Sequence, residues 1–492
     1  MKKLLISLMI IFLFVFTGCN KSNSIKPKKY NVTIETNYDN SVYLIGGKAI
    51  QNIDSANEFK AVTIVERIGY KYLYYEIDDI KYYDDIISIS NIDKDITINV
   101  YSDYSLDDLP IVNIKTDSYV FSKYNPINMK FSLLNIEEEL TDLSGTIKIR
   151  GNTTANLEKK PYAIKFDKKQ SLFGLEKAKS WVLLADYLDP SALHNWCAFK
   201  LGNKFDNLEF CPTPNKVNLY LNDTYEGVYT LCEKVQENKG RLNIEEDLEN
   251  KEYTNLFDYN FLIEMEESVR YVLDSKLNDN YFYIKEFDKY IELKYPEKES
   301  FSNEEDYYKF FNELKDYVYF IFNAIKNNDL DFINQNLELN SLIDYLLVDL
   351  IMGETDHRYK SFYMYYKKDN QKLNFGPIWD YDFCLYVPWT YRPNKYYEIS
   401  NELEYSNEFF KMIKNNDIYY NMLKNRYISV GKNNIINLIN ELKEYNDSIL
   451  DSLKVNSLKW YSNTSRYENN YNFLVGFLEN RISVFDKEFS FS

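Results

Sequence analysis

From Tyr30 to about Ser105, apolar and polar residues alternate in short runs. YNVTIET, SVYLIGG, AVTIVERI, YKYLYYEI and DITINVYS follow one another, parted by Asn, Asp and Gly. A period of two places every second side chain on one face, as a half-buried strand requires. The five runs predict a small all-β domain, a sandwich, over residues 30–106. It carries no constellation of reactive groups, and its plainest role is that of a spacer.

A break at Asp107-Asp108-Leu109-Pro110 precedes a second set of strands: IVNIKT, GTIKIRGN and YAIKFD. A helical stretch follows from about Ser191 to Asn203. Next come a hairpin, KVNLYL and YEGVYTLCEKV around the turn Asn222-Asp223-Thr224, and the strands FLIEME and IELKYP. Beyond Phe301 the apolar spacing lengthens to that of helices, in FFNELKDYVYFIFNAIKN and SLIDYLLVDLIMG. From about Asn407 to the end the pattern is helical and charged. Strands first and helices later predict an α+β domain over residues 107–492.

The first residues read differently. Lys2 and Lys3 precede a nearly all-apolar stretch from Leu4 to Phe16. It falls short of the roughly 20 residues a spanning helix needs, and it fits a secretory signal over 1–18. Phe16-Thr17-Gly18-Cys19 resembles a bacterial lipobox, with Phe16 where Leu is usual. That predicts a lipid on Cys19, a tether over 19–29, and a protein held outside the cytoplasmic membrane by its lipid alone.

Lys+Arg 58 against Asp+Glu 75 gives a formal charge of -17, which argues against sequence-independent nucleic-acid binding. With two histidines, His194 and His357, neither a zinc site nor a His-dependent triad is expected. Cys197, Cys211, Cys232 and Cys384 are scattered without a CxxC, and read as buried free thiols.

Chemistry concentrates between Tyr345 and Tyr386. A helix ending near Gly353 delivers Asp356 into a polar turn. After a Tyr/Met-rich strand and the Gly376-Pro377 turn come Asp380 and Asp382, two apart behind Trp379. On an extended strand the pair would share a face and reach one ion. One acid to take a hydroxyl proton and others to hold magnesium is what phosphoryl transfer requires. Asp186 and Asp189 read as caps of the helix near Ser191, His357 as structural, and Glu264 and Glu266 as the wet face of a strand.

Further motifs recur in order: Arg150-Gly151-Asn152-Thr153-Thr154, Lys160 to Phe166 (KPYAIKF), Leu172-Phe173-Gly174, Trp181 to Tyr187 (WVLLADY), Asn218 to Asn222 (NLYLN), Gly227-Val228-Tyr229 and Glu233-Lys234. With Asp356 and Trp379-Asp380-Tyr381-Asp382, they closely resemble the CotH family, the spore coat protein H kinases. The resemblance covers Leu109 to Tyr386 and weakens beyond. It implies an atypical, two-lobed protein-kinase fold that uses ATP and Mg2+, or Mn2+, to phosphorylate Ser or Thr on secreted or spore-surface proteins, with a Ser-rich, basic protein as the natural acceptor. It implies Lys165 on the phosphates and Glu233 near the nucleotide. Arg150, before a Gly-Asn turn, could touch phosphate or pair with a carboxylate, and the Gly151-Asn152-Thr153-Thr154 turn is the best candidate for cradling phosphates by its backbone. Asp356 would be the base, and Asp380 and Asp382 the metal ligands. A kinase catalytic loop has a metal-binding Asn five residues after its Asp; here that place holds Ser361, a weaker ligand.

Two other readings stand beside the kinase. One is a surface binding or adhesion protein that keeps the fold without turnover, which Ser361, the N-terminal β domain and the acidic surface suit, while the scarcity of ATP outside the membrane weighs against the kinase. The other is a polysaccharide-active enzyme with paired carboxylates across a groove.

Overall fold

The computed structural model describes residues 28–37, 41–54, 57–67, 70–104, 106, 108–248, 251–267, 279–385 and 398–489. The expected signal segment, Cys19 and most of the tether lie outside the described residues. The chain forms two compact units, Met1–Ser105 and Leu106–Ser492.

Among its described residues the first unit has eight strands: β1 (Tyr30–Thr36), β2 (Val42–Ile45), β3 (Ile50–Ile53), β4 (Val62–Glu66), β5 (Tyr70–Ile77), β6 (Ile80–Tyr82), β7 (Ile86–Ile87) and β8 (Ile96–Tyr104). They make a five-stranded sheet, β3-β1-β8-β5-β6, and a three-stranded sheet, β2-β4-β7. Val32, Ile34 and Ile98 of one sheet share a core with Val62, Ile64 and Ile87 of the other. The five alternating runs all form strands; β3, β6 and β7 are too short to announce themselves by period.

The second unit begins with a closed barrel. Its strands are β9 (Ile111–Thr116), β10 (Ile127–Leu134), β11 (Leu140–Ile149), β12 (Tyr162–Gln170), β13 (Ala178–Leu184), β14 (Asn215–Leu221) and β15 (Thr224–Glu233). The order is β10-β11-β12-β13-β15-β14-β9, and β9 returns antiparallel onto β10. Inside it Val112, Phe131, Ile147, Ile164, Leu183, Val217 and Tyr229 form one apolar cluster. Helix α1 (His194–Gly202) lies between β13 and β14 in the chain.

A second sheet, order β17-β18-β16-β19-β20, comprises β16 (Phe261–Met265), β17 (Tyr281–Ile284), β18 (Lys289–Tyr295), β19 (Phe362–Lys367) and β20 (Lys372–Phe375). Between β18 and β19 run α2 (Glu304–Asn327), α3 (Leu330–Asn336) and α4 (Leu339–Met352). In α2, Asn303 caps the first turn by accepting from Asp306 N at 2.9 Å, and three acids there suit the helix dipole. Every residue of α4 except Asn340 is buried, so this helix is the centre of the helical part. It stops at Gly353, whose left-handed φ of 61° sends its N–H back to Asp349 O.

The chain ends in α5 (Ile399–Glu404), α6 (Glu408–Asn415), α7 (Asp417–Arg426), α8 (Lys432–Ser448), α9 (Leu450–Tyr461) and α10 (Thr464–Phe489). Helix α9 packs on β15. Asn456 Oδ1 accepts from Val228 N at 3.0 Å, and Trp460 Nε1 donates to Glu226 O at 3.0 Å. Gly227 permits this approach: a Cβ there would stand 2.5 Å from Asn456 Oδ1. Among the described residues no helix is long and apolar enough to cross a membrane. The architecture is mixed α+β, β-rich at the start and helical at the end.

Candidate functional site

Beyond Gly353 the chain turns sharply through Glu354, Thr355 and a short 3-10 turn, Asp356–Arg358. Glu354 Oε1 accepts from Thr355 N at 2.7 Å and from Asp356 N at 2.5 Å, which fixes the Asp356 backbone. Burial pushes the Glu354 carboxyl up to about 8 against the opposing pull of His357. His357 is a strut. Its Nδ1 lies 2.9 and 3.0 Å from the Asp349 oxygens, and its Nε2 lies 2.7 Å from Trp379 O. Burial alone would lower its pKa, but Asp349 and Glu354 outweigh it and raise the imidazole to about 10. Tyr381 Oη donates to the same Asp349 at 2.6 Å. Helix α4, the Asp356 turn and the Trp379–Asp382 run are therefore tied together by one buried cation. The structural role expected of His357 is the one it has.

Asp356 itself is partly exposed and pairs with Lys360 at 2.8 Å. Burial opposes the Lys360 charge, but Asp356 and then Asp380 and Glu266 more than compensate and raise its pKa. Ser361, next in the chain, donates Oγ to Asp380 Oδ2 at 3.3 Å. The turn residue Asp356 and the distant Asp380 thus flank one short segment, Lys360-Ser361.

Asp380 and Asp382 both line a small open cleft, with Arg150, Thr154, Pro161, Tyr187 and Trp379 among its walls. The Arg150 guanidinium lies 5.2 Å from the Trp379 ring centre. The two acids do share a site, but not through strand alternation. Strand β20 ends at Phe375, and Asp380 has a left-handed φ of 65°, which breaks the period of two. Asp382 is buried. Desolvation, then Asp186 and Asp380, push its carboxyl well above the usual range.

The nucleotide-side candidates separate. Arg150 is at the cleft. Asn152, beside it in the turn, is exposed and accepts from Lys123 Nζ at 2.7 Å. In β12, Tyr162, Ile164 and Phe166 are buried while Lys165 is exposed; Lys165 is not among the residues lining the cleft. Glu233 is buried, and its Oε2 accepts from Thr213 N at 2.8 Å. Three sequence expectations need correction. Glu264 and Glu266 are buried rather than wet, because β16 is a central strand covered on both faces, and Glu264 pairs with Lys294 at 3.1 Å. Asp189 does cap α1, accepting from Leu193 N and His194 N at 2.6 and 2.7 Å. Asp186 does not; it is a buried partner of Lys216 at 2.9 Å.

A family model described as CotH kinase protein matches residues 147–485, most of the chain. The chain belongs to the CotH kinase family. No curated protein matches it. The matched region enters in β11 and runs into α10, so the C-terminal helices, where the sequence resemblance weakened, are part of the family's domain; the first unit and β9–β10 precede it.

In this CotH-family, kinase-like protein no three His, Cys, Asp or Glu side chains among the described residues gather as a metal cage. Magnesium does not need one: it is commonly held by one or two carboxylates plus substrate phosphates and water. Asp380 and Asp382 supply oxygen donors, and their mutual repulsion in a partly dry cleft is what a divalent cation would relieve. The residues present therefore fit that ion. What sequence reasoning missed is the support behind Asp382: Asn195, Asp186, Lys216 and Thr230. The signal available was polar residues inside apolar runs, in HNWCAF and KVNLYL, which alone reads as helix start and strand edge.

Proposed function

We propose that this protein is an atypical protein kinase that transfers the γ-phosphoryl group of ATP to Ser or Thr of a secreted or spore-surface protein, and that it works outside the cell membrane on a lipid carried by Cys19. The observation that carries the reading is the convergence on one cleft of Arg150, Asp380 and Asp382, with Ser361 bonded to Asp380. In this reading the barrel and the helical part are the two lobes. Bound Mg2+ would neutralise phosphate charge and be held by Asp380 and Asp382. Arg150, stacked near Trp379, is suited to a phosphate oxygen. Asp356 takes the proton of the acceptor hydroxyl as its oxygen attacks the γ-phosphorus and the bond to the β-γ bridging oxygen breaks, and Lys360 holds that carboxylate in place. A Ser-rich, basic acceptor suits a protein of charge -17.

A second reading, a binding or adhesion protein without turnover, is favoured by Ser361 at the place of a metal-binding Asn. The test is incubation of the purified protein with γ-labelled ATP, Mg2+ or Mn2+, and a Ser-rich basic protein. Label transfer that disappears in Asp356→Asn and Asp380→Asn supports the kinase. Thermal stabilisation by ATP without transfer supports the binding protein, and no response to nucleotide overturns the nucleotide site and the kinase reading.

A further inference from the structure

We infer that Asn195 is a positioning residue for Asp382, held in turn by the Lys216–Asp186 ion pair at the barrel wall; this rests on reading Asp382 as a cation-facing acid. Asn195 is the second residue of α1 and is buried. Its Nδ2 donates to Asp186 Oδ1 at 2.8 Å and also to Asp382 Oδ1, while its Oδ1 accepts from Tyr381 N at 2.9 Å. The amide orientation follows from these partners. A flip would turn Oδ1 toward two carboxylates and Nδ2 toward an N–H. Asn195 therefore grips the acid run at two consecutive residues. Among the described residues no hydrogen bond reaches Asp382 Oδ2, so one oxygen is fixed and the other is left for a ligand.

The grip is anchored in the barrel. Lys216 of β14 and Thr230 of β15 are register partners. Lys216 Nζ donates to Asp186 Oδ2 at 2.9 Å and to Thr230 Oγ1 at 2.7 Å, and Thr230 donates to the same Asp186 oxygen at 2.6 Å. Both Asp186 oxygens are thus committed, one to the barrel and one to Asn195. Every member of this chain is buried, so its geometry is not averaged by solvent. Side chains that orient a metal's ligand typically change metal affinity by about 10- to 100-fold when removed.

The experiment is Mn2+ binding to the purified protein in the presence of a non-hydrolysable ATP analogue, followed by electron paramagnetic resonance, with folding checked by circular dichroism. Asn195→Ala is expected to weaken Mn2+ about 10- to 100-fold, and Thr230→Val, which keeps shape and sits in the barrel, to weaken it a few-fold (on the order of 2 to 5). Wild-type affinity in a folded Asn195→Ala overturns the inference while leaving the kinase reading intact. Should Asn195→Ala not fold, wild-type affinity in Thr230→Val overturns the link to the barrel. Absence of Mn2+ binding by the wild type overturns both this inference and the reading beneath it.

Discussion

Ser361 and Asp380 meet through a 3.3 Å hydrogen bond, and both hold left-handed backbones, with φ of 56° and 65°. For a residue other than Gly such a backbone costs about 1 kcal/mol, and Asn bears it better than Ser. Ser361→Asn is therefore expected to melt at or above the wild-type temperature. It is also expected to transfer phosphate at least as fast at limiting Mg2+, because an amide oxygen replaces a hydroxyl. Ser361→Val, β-branched and unable to donate, is expected to lower stability by about 1–2 kcal/mol. Melting curves and metal titrations of the pair check this. A large loss in Ser361→Asn would mean that the hydroxyl itself is required.

Asp356 is partly exposed, and its ion pair with Lys360 is local in sequence. Asp356→Asn should leave the fold nearly unchanged, since such pairs contribute about 1 kcal/mol or less. Transfer should fall by about 10²- to 10⁴-fold, the usual contribution of a positioned base. Initial rates under saturating ATP give the answer, and a variant within threefold of wild type removes Asp356 from that role.

Asp349 and Glu354 raise the buried His357 from the ordinary 6.5 to about 10, so it keeps its proton in the folded protein well above neutral pH. A raised cation pKa stabilises the fold fully below the unfolded value and loses that contribution as pH rises through the folded one. His357→Gln leaves the buried Asp349 without its cation, so about 3–5 kcal/mol of stability should be lost at pH 6. The gap to wild type should narrow from pH 6.5 toward 10. Urea denaturation at pH 6, 7.5 and 9 measures it, and a gap that widens with pH contradicts the assignment of the proton.

Cys197, Cys211, Cys232 and Cys384 are all buried free thiols, as their scatter predicts, and burial pushes each of their pKa values up. A thiol reagent at pH 8 should find none of these four in the native protein and all four after guanidinium. Rapid native reaction at any one of them would show that its surroundings open.

Much was legible along the chain. The five alternating runs of the first unit and helix α2 carry a period because each buries one face, whereas the β14–β15 hairpin and α4, buried almost throughout, show as apolar runs bounded by a turn or a stop. In the second unit strands β10, β13, β17 and β20 do not declare themselves: β13 reads as a plain apolar run, β17 follows a polar stretch, and β20 has only four residues. Glu264 was misread because a period of two cannot tell solvent from a second buried face.

The sequence by itself singled out Asp356, Asp380 and Asp382 as candidates, since each follows a recognisable stop: the end of α4 for the first, a Gly-Pro turn for the others. It also determined the family, through the order of its motifs. Tertiary structure alone decided that Arg150 lines the cleft and Lys165 stands on the barrel's outer face, because barrel closure assigns inside and outside across seven strands at once. It alone joined Asn195 to Asp382, residues far apart in the chain. Such contacts depend on how α1 packs on α4 and how both meet the barrel, and no local pattern of polar and apolar residues encodes a distance between separate elements.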